Sequence, residues 1–273
     1  ITNSRVDGLE ARLNNFEAGS FSETTTASFE VVGMLGFEDD ADGVVDDAVA
    51  AGYSFQMDLN TSFTGEDSLD ISLDAGTGGT EGIAEFDTNS LGAGLRVDGV
   101  AYTFPIGEKT TMIVGADTDG SALFTTACVY GGPGNLLDDC ANVNAGITGG
   151  GATVGASYDI GGGWTAAAGA QTTEASVFTE ESGDAYALNV AYIADSYGLS
   201  LTYGVVENAA LTEENKFTAL NAYYTPEGSL PSISVGYEFG DLGGAAAGAD
   251  EQASFMVGLT WDEVGPGSAG VAL

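Results

Sequence analysis

The feature that most constrains the fold of this chain is a two-residue alternation of apolar and small polar side chains. In the segment SYGLSLTYGV at 196–205, one set comprises Tyr197, Leu199, Leu201, Tyr203 and Val205, and the other is made of Ser, Gly and Thr. Successive side chains of a β-strand point to opposite faces, so this period predicts a strand with one apolar and one polar face. The apolar face of a soluble sandwich turns inward, whereas that of a membrane barrel turns outward to lipid.

The same alternation recurs along the chain from residue 20 onward. It predicts about twelve strands, with a thirteenth that begins at Gly270. Between Leu91 and Asp117 the apolar set fits either phase, which predicts a β-bulge or an irregular boundary there. Further apolar sets run through Ala27 to Phe37, Tyr53 to Phe63, Leu69 to Leu73, Val154 to Ile160, Tyr186 to Tyr192, Ile233 to Phe239 and Phe255 to Trp261.

The connections between strands favour the membrane alternative. From residue 151 onward, short turns such as DSYG alternate with long acidic connections such as QTTEASVFTEESGD. Outer-membrane barrels have this asymmetry between their two ends, and a Greek-key sandwich has no reason to keep it. Aromatic residues at both ends of an apolar face, as in Tyr197 and Tyr203, match the girdles at the two membrane interfaces. The sequence therefore predicts an all-β fold, a transmembrane antiparallel up-and-down β-barrel.

The first sixteen residues differ from the rest of the chain. Val6, Leu9, Leu13 and Phe16 follow a three-four-three spacing with charged neighbours. This spacing is typical of one or two heptads of a coiled coil, although an ordinary amphipathic helix packed on a domain has the same pattern. So short a helix is not stable alone. We therefore predict a coiled-coil stalk end at 1–16 and a β-barrel at 17–273.

Charge and composition exclude several function classes. The chain has 41 acidic and five basic residues, a formal net charge of −36 and no histidine. Such a surface repels nucleic acid. The charge has a simple alternative explanation, a solvated acidic surface suited to salty surroundings. Nucleophile systems that need histidine, and histidine-ligated zinc sites, are excluded. Since no carboxylate pair stands out either, we do not expect an enzyme.

The two cysteines, Cys128 and Cys140, flank the glycine-rich segment VYGGPGNLLDD, which can fold back and bring them together. In an oxidising compartment this arrangement predicts a disulfide that holds the loop. The alternative is two unrelated free thiols.

The acidic segment from Glu38 to Gly52 has the first features of an EF-hand calcium loop. Position twelve, however, is Val49, where a bidentate glutamate is needed. A true EF-hand is therefore not expected. Weak divalent-cation binding on acidic external loops is the remaining metal hypothesis, and no cofactor is expected.

Three segments carry a resemblance to a known family: RVDGLEARLNNFEAGSFSETTTASFE, YTFPIG and FMVGLTWDEVGPGSAGVAL. They resemble the cyanobacterial outer-membrane porins that combine a surface-layer-homology domain, a helical stalk and a barrel like that of carbohydrate-selective porins. The resemblance implies a Gram-negative outer-membrane homotrimer of sixteen-stranded barrels whose third external loop folds into the pore. The chain stops at GVAL without a terminal aromatic strand, so we expect a C-terminal part of the barrel to be missing, as well as the wall-binding domain.

Within this resemblance, 118–150 is the candidate constriction loop. The first functional hypothesis is a general-diffusion porin, a passive cation-preferring channel in contact with outer-membrane lipid that passes ions, neutral sugars and other small hydrophilic nutrients. The alternative is an acidic extracellular structural or adhesive β-protein of the cell surface that associates with calcium. The predicted pore-lining residues are Asp58, Asp70, Asp74, Arg96, Asp98, Asp138, Asp139, Asp159, Glu238 and Asp262.

Overall fold

The computed structural model describes residues 24–36, 49–78, 92–131, 139–173, 177, 183–207, 214–243, 245, 250–265 and 267–273. These residues form one antiparallel sheet of thirteen strands. The predicted helix at 1–16 and most of the acidic segment at 38–52 lie outside the described residues. Among the residues described, no helix is long and apolar enough to cross a membrane. The strands are β1 (Thr25–Gly36), β2 (Ala50–Thr61), β3 (Ser68–Gly76), β4 (Gly92–Ile106), β5 (Thr110–Ala116), β6 (Ala152–Gly161), β7 (Trp164–Thr172), β8 (Asp184–Ile193), β9 (Tyr197–Glu207), β10 (Glu214–Tyr224), β11 (Ser232–Asp241), β12 (Glu251–Val264) and β13 (Gly267–Ala272).

Each strand pairs with its neighbours in the sequence, so the sheet is an up-and-down meander. The predicted thirteenth strand is confirmed, although it begins at Gly267, three residues before the predicted start. Strands β1 and β13 are the two edges, and the described sheet is not closed.

The apolar face of the sheet is exposed and its polar face is buried. In β9, Leu199 is 54% exposed and Leu201 is 45% exposed, whereas Ser200 is 6% exposed and Thr202 is fully buried. The same alternation holds in β8 and β11. A soluble sandwich buries its apolar face, so this arrangement is the reverse of what its core requires. We call the apolar side the outer face and the polar side the inner face.

A bulge interrupts the pairing of β3 with β4. Ser72 pairs with Gly99 and Leu73 pairs with Val97, so Asp98 is the extra residue. The irregularity predicted between Leu91 and Asp117 is thus confirmed. Because Arg96 pairs with Asp74 beyond the bulge, both residues belong to the inner face.

The two ends of the sheet differ in their connections. The end that we call the turn end has the connections 62–67, 107–109, 162–163, 194–196, 225–231 and 265–266. The loop end has 37–49, 77–91, 117–151, 173–183, 208–213 and 242–250. The predicted alternation of short and long connections fails once. The pairing of β9 with β10 extends to Glu207 and Glu214, which leaves a short connection between these strands at the loop end.

Candidate functional site

The connection 117–151 between β5 and β6, which we call the inner segment, lies against the inner face of the sheet. Its main-chain N–H groups donate to inner-face side chains of three successive strands. Gly120 N donates to Gln171 Oε1 of β7 at 2.8 Å, and Ala127 N donates to Ser200 Oγ of β9 at 2.9 Å. Between them, Thr125 N donates to Oδ1 of Asn189 in β8 at 3.1 Å. Non-strand backbone needs such partners once it is buried.

The inner segment continues across the later strands. Val129 N and Tyr130 N both donate to Ser234 Oγ of β11, at 3.0 and 3.1 Å. On its return, Cys140 O accepts from Asn221 Nδ2 of β10 at 2.6 Å. Ser254 Oγ of β12 donates to Ala141 O at 3.3 Å, so the segment runs over the inner face from β7 to β12. Most of these hydrogen bonds join the backbone of the segment to one side chain of the sheet.

Two glycines of the inner face allow this close approach. A Cβ at Gly169 would overlap the carbonyl oxygen of Gly120, and a Cβ at Gly236 would overlap the carbonyl oxygen of Cys140. The obstructing atoms belong to backbone and cannot rotate away. Any larger residue at either position would displace the inner segment.

A disulfide joins Cys128 in the outgoing half of the inner segment to Cys140 in the returning half. The two Cα atoms are 6.3 Å apart, within the usual range for a bridge. Cys140 is buried with Ala141 and Met256 of β12, with Tyr130 packed against them. The predicted disulfide is thus confirmed, and it ties the two halves together over the inner face.

Glu238 of β11 is almost completely buried and binds the returning half of the inner segment. Its Oε2 accepts from Asn144 N at 2.9 Å and from Ala145 N at 2.8 Å, and its Oε1 accepts from Asn144 Nδ2 at 2.7 Å. Hydrogen bonds to an ionised acceptor are stronger than neutral ones and stabilise a buried carboxylate. Glu238 is therefore an anchor for the inner segment.

A second group of carboxylates lies on the inner face of β2, β3 and β4. This acidic wall consists of Asp58, Asp70, Asp74 and Asp98. Asp58 accepts from Gln56 Nε2 and from Ser72 Oγ at 2.7 Å, and Asp74 is 2% exposed. One oxygen of Asp74 has no hydrogen-bond partner among the described residues.

The beginning of the inner segment adds more carboxylates beside the acidic wall. Asp117 and Asp119 line a cavity of about 330 Å³ together with Asp70 and Asp98. Burial is the main cause that raises the pKa of the Asp119 carboxyl above its ordinary value, and the charges of Asp98 and Asp117 act in the same direction. The N–H of Gly150 opposes these effects by donating a hydrogen bond. This corner of the inner face therefore concentrates negative charge.

The basic residues contribute little to this face. Arg96 faces Asp74 in register, and its side chain is exposed. Lys109 lies in a turn with its Nζ 5.9 Å from the ring centroid of Tyr158. Lys216 pairs with Glu214 at 3.6 Å near the loop end, at positions in register with outer-face residues of β9. Among the described strands, Arg96 is thus the one basic residue at a predicted pore-lining position.

The other predicted site residues are dispersed. Asp159 accepts from Gly161 N at 2.8 Å and stabilises a tight connection at the turn end. Asp262 is exposed near the same end, and Asp139 is exposed in the inner segment. Asp138 lies outside the described residues. Within the described part of the chain, no group of three or more Asp, Glu, Cys or His side chains is arranged to hold a metal ion.

Sequence reasoning missed the uncharged partners of the inner segment. Gln171, Asn189, Ser200 and Ser234 were not singled out, although the alternation places each opposite an exposed apolar face. The signal that would have found them is an amide or hydroxyl side chain that recurs on the polar face of successive strands. Glu238 was assigned to the pore, and its contact with the inner segment was not foreseen.

No protein-family model matches this chain, and no curated protein matches it by sequence. Solved structures of porins are similar in fold. OprB of Pseudomonas putida superposes with a TM-score of 0.64 at 12% identity, over 91% of this chain and 74% of that one. A mutant of the Rh. blastica porin superposes with a TM-score of 0.54 at 14% identity, over 90% of this chain and 88% of that one. The chain therefore shares the fold of these porins.

Proposed function

We propose that this chain is a channel of the bacterial outer membrane that passes small ions and solutes passively through a water-filled pore. The observation that carries the proposal is the orientation of the sheet, with its apolar face outside and its polar face crossed by the inner segment. An exposed apolar band of this extent matches lipid, and a polar inner face matches water. The fold that the chain shares with porins supports the same conclusion.

The inner segment is the proposed constriction of this channel. It lies at the inner face, is fixed to the sheet from β7 to β12 and is closed by a disulfide. A fixed segment across the lumen sets the narrowest passage and the chemical groups that a permeating solute meets. The acidic wall of β2 to β4 lies beside the first residues of this segment, where Asp117 and Asp119 line a cavity with Asp70 and Asp98.

We propose that the channel prefers cations. The acidic wall, Asp117, Asp119 and Asp139 outnumber Arg96 on the inner side. Fixed charge of one sign on a narrow, low-dielectric wall concentrates counter-ions and repels co-ions. Because salt screens this charge, the preference should weaken as ionic strength rises.

We also propose that the thirteen described strands belong to a sixteen-stranded barrel that assembles as a trimer in a cyanobacterial outer membrane. Among the described strands, β1 and β13 each pair with one neighbour, which supports closure by further strands, since an open sheet edge in lipid leaves backbone groups unsatisfied. The coiled-coil stalk at 1–16 and the weak binding of divalent cations by external loops belong to the same proposal.

Purified protein in planar lipid bilayers under a salt gradient tests the function. We expect the protein to conduct, and the sign of its reversal potential to be that of a cation-selective pore. The reversal potential should be smaller in the double variant Asp138→Asn with Asp139→Asn. An anion-selective channel contradicts the charge argument. A protein that does not conduct and stays dispersed without detergent contradicts the channel and favours the acidic surface-protein alternative.

A further inference from the structure

The inner segment encloses a cavity of its own, separate from the acidic wall. The cavity has a volume of about 300 Å³ and lies between the outgoing and returning halves of the segment, beside the disulfide. This volume is at the lower end of the range for small-molecule sites. Its lining includes Ser121, Phe124, Thr126, Tyr130, Asp139, Asn142 and Thr148.

Asn142 is the residue that indicates a ligand. Its side chain is 7% exposed, and its Nδ2 donates to Thr126 Oγ1 at 3.4 Å, whereas its Oδ1 has no hydrogen-bond partner among the described residues. An amide oxygen only accepts hydrogen bonds, so the unpaired Oδ1 requires a ligand that donates one. A buried polar atom without a partner destabilises the protein, and a ligand in the cavity that donates to this atom would remove that cost.

The lining determines the chemistry of that ligand. Asp139 supplies a carboxylate, Ser121, Thr126 and Thr148 supply hydroxyl oxygens, and none of the described lining residues is a lysine or arginine. Phe124 and Tyr130 add aromatic rings, which attract cations through their faces. The site is therefore rich in acceptors, negatively charged and partly aromatic.

We propose that this cavity binds a small organic ammonium ion, a protonated primary amine with a short apolar stem. The ammonium group donates to Asn142 Oδ1 and to the Asp139 carboxylate, and the stem contacts the rings of Phe124 and Tyr130. The cavity thereby forms a transient binding site within the proposed constriction. The binding itself does not depend on conduction, and only its effect on permeation rests on the proposed function.

Calorimetric titration of the detergent-solubilised protein with ethylammonium chloride tests the binding directly. Asn142→Leu removes the unpaired acceptor at similar volume and should weaken binding about three- to tenfold. Asp139→Asn, at an exposed position, should weaken it by a similar factor. Glu227→Gln removes an exposed carboxylate of the 225–231 connection at the turn end and should leave the dissociation constant unchanged. Equal affinity in all four proteins, or tighter binding of glycerol than of ethylammonium, would overturn the proposal.

The effect on permeation is measured separately in planar bilayers. Ethylammonium should reduce the potassium current of a conducting channel, and Asn142→Leu should shift the half-blocking concentration upward by the same factor as the dissociation constant. A channel that conducts potassium without any block by ethylammonium contradicts the location of the site in the constriction. Calorimetric binding without any conductance upholds the site and contradicts only the proposed channel.

Discussion

The carboxylate of Glu238 on β11 holds Asn144 of the inner segment through two hydrogen bonds, from the main-chain N–H at 2.9 Å and from Nδ2 at 2.7 Å. A third bond, from Ala145 N at 2.8 Å, shares the same Oε2. Asn144 and Ala145 follow Cys140, so this contact belongs to the returning half of the segment. Three of the segment's polar groups thus depend on one side chain.

Glu238→Ala should loosen the inner segment while leaving the sheet intact. The substitution leaves three donors without their acceptor, at a cost of about 1–3 kcal/mol. We expect noisier single-channel currents and a lower denaturation midpoint. Glu227→Ala, at an exposed position of the 225–231 connection, is the matched control and should change neither. A quiet Glu238→Ala channel with unchanged mean conductance would show that Glu238 does not hold the constriction.

Gly236→Ala should displace the inner segment by steric conflict. The added Cβ overlaps the carbonyl oxygen of Cys140, which is backbone and cannot rotate away. We expect an altered conductance and weaker protection of the segment against proteolysis. Gly33→Ala in β1 is the control, because a Cβ there meets no atom within 4 Å. Identical conductance of Gly236→Ala and Gly33→Ala would contradict the observed path of the segment.

Reduction of the Cys128–Cys140 disulfide should change conductance more than it changes the fold. The bridge closes a loop inside one segment, with a sequence separation of 12, while the strands are held by their own ladders. Removing it restores conformational freedom to the segment, worth about 2–4 kcal/mol. Conductance and the circular dichroism of the sheet should be recorded before and after reductant. The conductance of the double variant Cys128→Ser with Cys140→Ser should not respond to reductant. If reduction of the unaltered protein lowers the circular dichroism of the sheet as much as it changes the conductance, the prediction is refuted.

Asp67, in the 62–67 connection at the turn end, should make stability depend on pH. Its Oδ1 accepts from Ser62, Phe63 and Thr64, and its Oδ2 accepts from Tyr102 Oη at 2.7 Å. The Tyr102 hydrogen bond is the main cause that holds the pKa of the Asp67 carboxyl well below its ordinary value of 3.8.

The sign of this dependence follows from the lowered pKa of Asp67. The stabilisation is fully present above pH 3.8, the ordinary pKa, and it is lost as the pH falls from there through the lower folded pKa. The denaturation midpoint of the unaltered protein should therefore exceed that of Asp67→Asn by a constant amount from pH 7 to about pH 5 and by less below about pH 4. Asp262→Asn serves as the control. A difference that grows on acidification would contradict the assigned hydrogen bonds.

Local patterns predicted the fold well because they depend on neighbouring residues alone. The alternation at Tyr197, Leu199 and Leu201 predicted both the strand and its outer face, and the ambiguous phase before Asp117 predicted the bulge at Asp98. The spacing of Cys128 and Cys140 predicted the bridge. Assignment of the acidic wall to the inner face followed from the same alternation.

Contacts between distant parts of the chain could not be predicted in this way. Nothing local to Glu238 distinguishes a carboxylate that binds the inner segment from one that lines water, because the difference lies in Asn144, 94 residues earlier. The Asn142 Oδ1, which has no partner in the described part of the chain, likewise depends on how the two halves of the segment face each other. The helix at 1–16 and the contribution of Asp138 stay predictions.

The path of the inner segment has a consequence for the order of folding. Its bonds to Ser200 and Ser234 span 73 and 104 residues, and the bond from Ser254 to Ala141 spans 113. Closing such long loops costs entropy that only an already formed set of strands repays. We therefore expect the segment to reach its position after β7 to β12 have paired. In the proposed channel, a nascent chain whose segment has not yet docked would have an open, wider passage before it matures into a narrow one.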